Sequence, residues 1–306
     1  MADRILICKP RVDMTFKNFG QPIPDEVGPA TDPIKQYWAD FVEKLSKTFP
    51  NALILEKPLF EFTPEVIGHY NPDITFIPHK QQNNFPVTTG EARYYMQTVF
   101  PWLFGIDPVG WEGGASVWKN FPMGDPNLPH YDYLKNHITN GGTKFEHLQP
   151  KKDKNPFESG YILFVCQLPH DETIKYHSNV EVIDGLRQSI QYAKEQGKKI
   201  IVKGHPVNPS SMTELLRETV KHEHATWVDR MHLHPLMEDA SEVHVINSGT
   251  GYEAILFGKK VRTYGRCLYE HVVNQEPDME KYRSFINGWY DWCYDSQTGR
   301  GFERLQ

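Results

Sequence analysis

The sequence predicts an α/β protein with two Rossmann-like domains whose parallel sheets face each other across a cleft. In the second half of the chain, short apolar runs alternate with stretches whose apolar residues recur at helical spacing. Alternating strands and helices need crossover connections, and these produce a parallel sheet that is covered on both faces. The first half shows a less regular pattern of the same kind, and a polar segment with two prolines at 147–159 separates the halves.

The second half carries the more regular pattern, and its strands are short and apolar, as expected of strands buried on both faces. The predicted strands are 161–166, 199–203, 226–228, 243–246 and 260–264. The predicted helices are 180–195, 211–221, 233–240 and 252–257.

The first half contains strand candidates at 4–8, 52–55 and 73–77, with a helix over Pro33–Thr48. An aromatic-rich helical stretch at 278–294 follows the last predicted strand. The expected domains are an N-terminal α/β domain at 1–150, a C-terminal Rossmann-like domain at 160–275, and a helical segment at 276–306 that returns to the first domain.

Composition excludes several classes of protein. The chain has 306 residues, with 33 Lys and Arg against 39 Asp and Glu, and a formal net charge of −6. This balance argues against nucleic acid or an anionic membrane surface as the main partner. The four cysteines form no CxxC pair, so neither a zinc cluster nor a disulfide framework is indicated. No apolar stretch is as long as a signal peptide core or a membrane span, which predicts a cytoplasmic protein.

Polar residues follow three of the predicted strands in the second half. They lie in the segments 167–171, 203–206 and 247–253. Because ligands bind at the carboxyl ends of the strands in open α/β sheets, we expect these segments to form one site.

The segment 248–251, Ser-Gly-Thr-Gly, is predicted to open a helix and to hold a phosphate, since backbone N–H groups are free there and small residues let the anion approach. Lys203 and His205 would add charge-assisted donors, and Pro206 would fix their loop. The alternative is that Ser248 only caps the helix and the glycines form a tight turn.

Two other kinds of site are less well supported. The segment 249–254 also fits GxGxxA, with Glu270 at a suitable distance, but the dinucleotide fingerprint belongs to the first βα turn of its domain. The pairs His222/His224 and His232/His234 suggest zinc, yet residues two apart on a helix point to different faces. We therefore expect solvated or helix-end histidines, no bound metal and, since no Asp-x-Asp pair occurs, chemistry that is independent of cations.

The first half offers further candidates in its loops. Arg11 follows the first strand, and His79 and Lys80 follow the third. Trp111 either lines a substrate cleft or belongs to the core. Asp107 and Glu112 are the carboxylates that we would test as a base or nucleophile.

Four motifs follow one another in the second half: Gln167…Asp171, Lys203-Gly-His205-Pro206, His232…Ala240 and Asn247-Ser248-Gly-Thr-Gly-Tyr-Glu253-Ala…Gly258. In this order they resemble the capsule polysaccharide biosynthesis family, which includes bacterial Kdo transferases. The resemblance implies a GT-B enzyme that uses a CMP-activated sugar acid without a metal or cofactor. It implies that His205 and the Ser/Thr loop bind the nucleotide phosphate, that Glu253 binds ribose hydroxyls, and that Gln167 and Asp171 lie near the donor.

The expected function is therefore a cytoplasmic glycosyltransferase that moves a sugar, Kdo among the candidates, from a nucleotide donor to a glycan or glycolipid acceptor, with at most peripheral contact to a membrane. The catalytic candidates are His205, Asp171, Glu112 and Asp107. The candidates for nucleotide-sugar binding are Gln167, Lys203, His205, Pro206, Ser248, Gly249, Thr250 and Glu253. The acceptor-side candidates are Arg11, His79, Lys80 and Trp111. The alternatives are a CDP-glycerol-type phosphotransferase and a non-catalytic protein that binds a nucleotide or glycan.

Overall fold

A computed structural model describes residues 4–11, 33–140, 144, 146, 149–169, 171–206, 210–221 and 225–306. The chain divides into two units. The first contains Met1–Asn120 and Tyr290–Gln306, and the second contains Phe121–Trp289.

The first unit is built on a six-stranded sheet with the order β11-β5-β4-β3-β1-β2. Its strands are β1 (Ile5–Pro10), β2 (Leu53–Lys57), β3 (Ile74–Pro78), β4 (Glu91–Gln97), β5 (Leu103–Asp107) and β11 (Tyr294–Asp295), and its first two helices are α1 (Pro33–Thr48) and α2 (Pro64–His69). Leu6, Cys8, Ile77 and Tyr94 form part of a buried cluster on this sheet.

Three strands of this sheet, β4, β5 and β11, are additional to those expected from the sequence, and the sheet is mixed. β1 to β4 are parallel, whereas β5 pairs antiparallel with both β4 and β11. Only residues 98–102 connect β4 to β5, and so short a connection permits a hairpin but not a crossover.

The second unit is built on a five-stranded, fully parallel sheet with the order β10-β9-β6-β7-β8. Its strands are β6 (Ile162–Val165), β7 (Ile200–Lys203), β8 (Ala225–Val228), β9 (Glu242–Val245) and β10 (Lys260–Thr263). Its helices are α3 (His130–Thr139), α4 (Glu172–His177), α5 (Val182–Glu195), α6 (Ser210–Lys221), α7 (Leu233–Asp239), α8 (Thr250–Leu256) and α9 (Met279–Trp292), the last of which ends in the first unit.

The helices of the second unit cover its sheet because each has one apolar face. On α5, for example, the buried residues Val182, Leu186, Ile190 and Ala193 recur at helical spacing and pack against Phe164 of β6. The helix ends where Gly197 adopts a φ of 62°, a conformation that glycine takes without strain. The α/β fold with two Rossmann-like domains, predicted from the sequence, is confirmed, and the predicted strands differ from the observed ones by one or two residues at their ends.

The division between the units differs from the expected domain limits. Residues 121–150 were expected in the first domain and 276–289 in a returning helix, yet both stretches fall in the second unit as far as they are described. The reason is a set of contacts with Tyr131 of α3. Its hydroxyl donates to Ile255 O (3.1 Å) and Leu256 O (2.9 Å) at the end of α8, and its backbone N–H donates to Asn287 Oδ1 of α9 (2.8 Å).

Among the residues that the structure describes, no helix combines the length and the apolar character needed to cross a membrane.

Candidate functional site

The carboxyl ends of β6, β7 and β9 form one edge of the second sheet, because β6 lies between β9 and β7. The chain leaves these strands through the segments that begin at Cys166, Gly204 and Ile246. The expected convergence of the three polar loops is therefore present within the second unit.

Gln167 and Asn247 join two of these loops. Gln167 Nε2 donates to Asn247 Oδ1 (3.0 Å), and Gln167 Oε1 accepts from the backbone N–H of Asn247 (2.9 Å). Asn247 Nδ2 in turn donates to Thr173 O (2.9 Å). Both ends of the Gln167 amide contact Asn247, so this residue joins the two loops. Asn247 was not among the expected site residues, although its position directly after a buried strand is a signal that could have found it.

Lys203 lies at the end of β7 with 3% exposure. Its Nζ donates to Gly204 O (2.9 Å) and Asp229 O (3.0 Å), which connects the ends of β7 and β8. Desolvation lowers the pKa of Lys203 to about 8, so the ammonium form still predominates at neutral pH. An ammonium group has three N–H donors, and these two carbonyls use two of them.

His205 and Pro206 follow Lys203, the first half-buried and the second exposed. Between them and Lys203, Gly204 lies so close to its neighbours that a Cβ atom would be 2.9 Å from the ring of Trp227 and 2.7 Å from Asp229 Oδ1. Tight packing at Gly204 therefore places His205 at the edge of the sheet.

The Ser248–Gly251 segment forms a tight turn at the start of α8, which is expected if it has only a structural role. The backbone N–H of Thr250 donates to Ser248 Oγ (3.2 Å), and that of Gly251 donates to Ser248 O (2.9 Å). Gly249 precedes α8 as its N-cap residue. A Cβ on Gly251 would lie 2.2 Å from the ring of Tyr269, whose hydroxyl donates to Ser248 O (2.7 Å), so the glycine is needed for this contact.

Glu253 lies in α8 with 4% exposure, and its Oε2 is 2.8 Å from Nε2 of His234. His234 is the second residue of α7, and His232 is the N-cap residue of that helix. His232 and His234 lie at a helix end, as one of the two expected alternatives has it, but they are buried rather than solvated, and their rings do not point to different faces, since the centroids are 4.9 Å apart. His232 has an extended backbone (φ −65°, ψ 139°), so helical periodicity does not apply to it. His222 and His224 lie outside the described residues.

Glu146, His232 and His234 offer ligand atoms that all lie within 4.8 Å of one another, which raises the question of a metal site. His232 Nδ1 accepts the backbone N–H of His234 (3.1 Å), so the proton of the neutral ring is on Nε2, from where it is donated to Glu146 Oε1 (2.9 Å). A protonated Nε2 has no lone pair for a metal ion. Burial alone would raise the pKa of Glu146, but the hydrogen bond from His232, together with the charge of Lys152, outweighs it and lowers the pKa.

Asp171 is half-buried in the loop after β6. It is the N-cap residue of α4, and its Oδ1 accepts hydrogen bonds from the backbone N–H and the hydroxyl of Thr173. This cap places a carboxylate at the same sheet edge as Lys203 and His205.

Asp107, in the first unit, is only 2% exposed. Its Oδ1 accepts from the backbone N–H groups of Val109 (2.8 Å), Gly110 (3.1 Å) and Ser116 (2.9 Å), and its Oδ2 accepts from the Ser116 hydroxyl (2.6 Å). These contacts are those of a carboxylate that holds a loop together.

The other first-unit candidates lie in the loops that follow β1, β3 and β5. Arg11 is exposed, Lys80 is half-buried, and the imidazole of His79 stacks on Trp38 with ring centroids 5.0 Å apart. Trp111 is 3% exposed, as the core alternative requires. Glu112 is half-buried with a φ of 46°, which is uncommon for a residue other than glycine.

Comparisons with known proteins agree with the resemblance read from the sequence. A protein from Sinorhizobium fredii (strain NBRC 101917 / NGR234), "Protein FixF", is 24% identical over 260 residues, which cover 80% of this chain and 62% of the relative. The chain therefore spans less than two thirds of that curated relative.

Two solved structures from Thermosulfurimonas dismutans have a similar fold. The β-Kdo 2,7 transferase of KpsC is 14% identical, with a TM-score of 0.57 over 93% of this chain and 90% of that chain. The β-Kdo 2,4 transferase of KpsC is also 14% identical, with a TM-score of 0.54 over 82% and 88%.

The family model described as "Capsule polysaccharide biosynthesis protein" matches residues 129–273. This range contains the strands β6 to β10 and the three polar loops of the candidate site. The match confirms, over residues 129–273, the predicted resemblance to the capsule polysaccharide biosynthesis family.

Proposed function

We propose that this protein is a nucleotide-sugar-dependent glycosyltransferase that acts in the synthesis of a capsule or another surface polysaccharide. The observation that carries the proposal is the convergence of three polar loops at the carboxyl edge of the second sheet, inside the range that matches the family. Ligands of open α/β sheets bind at this edge.

In this proposal, Lys203, His205, Ser248 and Thr250 bind the phosphate of the donor. Lys203 contributes the N–H that its two carbonyl contacts leave over, and the half-buried His205 lies two residues further along the same loop. The Ser248 and Thr250 hydroxyls lie 3.2 Å apart and can turn toward an anion together. Gln167 and Asn247 hold the loops in place and do not bind the donor.

Transfer of the sugar leaves negative charge on the nucleotide phosphate, and fixed donors that meet this charge lower the barrier. Lys203 and His205 would supply this stabilisation without a metal ion. We assign the carboxylate that acts on the acceptor to Asp171, which lies at the same edge, with Glu112 of the first unit as the second candidate. Asp107 is given no catalytic role in this proposal, because its carboxylate accepts four hydrogen bonds within its own loop.

The proposed donor is CMP-Kdo, since the two solved structures of similar fold are described as β-Kdo transferases of KpsC. The proposed acceptor is a growing glycan or glycolipid, and the proposed location is the cytoplasm. A CDP-glycerol-type phosphotransferase would use the same phosphate site, so the choice of nucleotide separates the two functions.

Thermal shifts with CMP, CDP, UDP and NAD test the proposal. A ligand at 100 times its Kd adds about 2.7 kcal/mol to the free energy of unfolding, so CMP is expected to raise the Tm of the wild type. His205→Ala should remove most of this rise and lower the turnover of a CMP-sugar by about 10²-fold, as when one fixed donor is lost. His69→Ala, in α2 of the first unit, is the control and should respond like the wild type.

A rise in Tm with CDP alone would contradict the glycosyltransferase assignment and favour the CDP-glycerol-type phosphotransferase. Stabilisation by CMP without turnover of any CMP-sugar would favour a non-catalytic binding protein. A lack of response to every nucleotide, or wild-type behaviour of His205→Ala, would contradict the proposed site.

A further inference from the structure

Two buried histidines of the second unit are each paired with a buried glutamate, but they differ in their second ring nitrogen. His244 on β9 has Nε2 3.1 Å from Glu242 Oε1, and its Nδ1 lies 2.9 Å from the Ser189 hydroxyl. His234 has Nε2 2.8 Å from Glu253 Oε2, whereas its Nδ1 is buried and has no hydrogen-bond partner among the described residues. Both ring nitrogens of His244 therefore have hydrogen-bond partners, whereas only Nε2 of His234 has one among the described residues.

The unpartnered nitrogen of His234 is an acceptor with a fixed direction. In the tautomer in which Nε2 donates to Glu253, the lone pair of the ring is on Nδ1. Phe257 and His232 contact the imidazole, with ring centroids 5.3 and 4.9 Å away, and restrict its rotation. A buried polar group without a partner destabilises a protein by about 1–3 kcal/mol. A partner supplied by a ligand would remove this cost.

The position of the pair relative to the phosphate loop indicates which ligand group would meet it. Glu253 lies three residues after Thr250 in the same helix, a rise of roughly 5 Å. In a nucleotide the ribose is joined directly to the phosphate, so a phosphate at Ser248 and Thr250 brings the ribose within reach of the next turn of α8. Ribose hydroxyls are donors, and Nδ1 of His234 is an acceptor.

We propose that His234 Nδ1 accepts a hydrogen bond from a ribose hydroxyl of the bound nucleotide, and that Glu253 is the positioning residue that holds His234. This inference rests on the proposed function, and it differs from the expectation that Glu253 itself binds the ribose, because it gives Glu253 the role of holding His234 through Oε2. Glu146 lies beside His234, with ligand atoms of the two within 4.8 Å of each other, and its side chain is 28% exposed, so the proposed approach of the hydroxyl is from this side.

The experiment compares the Kd of the best-binding ribonucleotide among CMP, CDP and UDP with the Kd of its 2′-deoxy and 3′-deoxy forms, measured by calorimetry on the full chain. Wild type is expected to bind one of the deoxy forms about tenfold more weakly, which corresponds to about 1.4 kcal/mol for a single hydrogen bond. His234→Gln keeps a polar group near Nε2 for Glu253 but has no acceptor near Nδ1. It should bind all three forms with the same Kd, close to that of the weaker deoxy form in wild type.

Variants of Glu253 test the positioning role. Glu253→Gln retains an oxygen that accepts the Nε2 proton and should keep the discrimination between ribose and deoxyribose. Glu253→Ala should reduce the discrimination in the wild-type background and have no further effect in His234→Gln. A carboxylate that bound the ribose directly would weaken binding in both backgrounds, and this result would overturn the proposal.

His244→Gln is the matched control, because it also removes a buried histidine paired with a glutamate. We expect it to lower the Tm of the free protein but to leave the ratio of the two Kd values unchanged. If His234→Gln does not fold, the wild type still tests the proposal, because equal Kd values for the ribonucleotide and both deoxy forms would overturn it.

The remaining outcomes separate the two proposals. Nucleotide binding without any discrimination in wild type would overturn the role of His234 and leave the nucleotide site intact. No nucleotide binding at all would overturn both. Loss of the discrimination after treatment with EDTA would assign Nδ1 to a metal ion and would also overturn the role proposed here.

Discussion

At the scale of single residues, the buried carboxylates of this protein differ in what occupies their oxygens. Asp107 accepts four hydrogen bonds from its own loop, whereas Asp171 caps a helix of six residues, and Glu253 orients a histidine. A carboxylate with four internal donors is held in place and has no capacity left to take a proton from a substrate. We therefore expect Asp107 to contribute to stability and not to catalysis.

Asp107→Asn tests this assignment. The substitution turns charge-assisted hydrogen bonds into neutral ones and should lower the free energy of unfolding by about 1–3 kcal/mol. Urea denaturation measures this change. At a temperature where the variant is folded, its turnover should stay within a few fold of wild type, and a catalytic base would instead show a loss of 10²-fold or more with unchanged stability.

At the scale of elements, the second unit depends on close contacts between helices and loops that lie far apart in sequence. The segment around Gly124 packs against α9, and the backbone N–H of Gly124 donates to Ser284 O (2.8 Å). A Cβ on Gly288 of α9 would lie 2.2 Å from Pro122 O and 2.7 Å from Gly124 N. These atoms belong to the backbone, so a side chain cannot rotate away to make room.

Gly288→Ala is therefore expected to lower the free energy of unfolding by about 1–3 kcal/mol, as overpacking does in other cores. Gly68→Ala is the matched control, since Gly68 also lies in a helix, and a Cβ there would only touch Thr88 Oγ1 at 3.9 Å. This control should stabilise the protein by about 0.5–1 kcal/mol, because alanine favours the helix. Equal effects of the two substitutions would show that the contact with Pro122 does not determine the result.

The elements of the second sheet were the easiest part of the molecule to predict. β6 and β7 are buried on both faces, so each appears in the sequence as a short run of mainly apolar residues. β4 was missed because Glu91 and Arg93 interrupt its apolar pattern, and α3 was missed because it has few apolar residues. The helix α3 is stabilised by a partner that is distant in sequence, Asn287 of α9, which accepts the backbone N–H of Tyr131.

At the scale of the whole molecule, stability in acid depends on a buried charge cluster in the second sheet. Desolvation alone would raise the pKa of Glu242, but the hydrogen bond from His244 and the charges of Lys260 and Arg262 outweigh it and lower the pKa to about 2. Burial lowers the pKa of His244, so this pair contains an ionised glutamate and a neutral histidine.

A depressed carboxyl pKa makes stability depend on pH with a definite sign. The contribution of Glu242 is fully present above about 4.5, its ordinary value, and is lost as the pH falls toward about 2, where the folded protein takes up the proton. Glu242→Gln should lower the stability at pH 7 and flatten the decline between pH 4.5 and 2, measured by urea denaturation at each pH. Glu158→Gln, with its side chain 87% exposed, should keep the wild-type profile. An unchanged slope in Glu242→Gln would contradict the assignment.

The sequence alone determined the alternation of strands and helices, the edge of the second sheet where polar loops gather, and the resemblance to a family that residues 129–273 then matched. These features depend on local spacing, so they can be read without knowing which residues meet in space. Only the tertiary structure decided the roles within that edge: Gln167 holds loops together, Gly251 makes room for Tyr269, and Glu253 faces His234. A side chain's role depends on the partner that occupies its hydrogen-bonding atoms, and those partners come from distant parts of the chain.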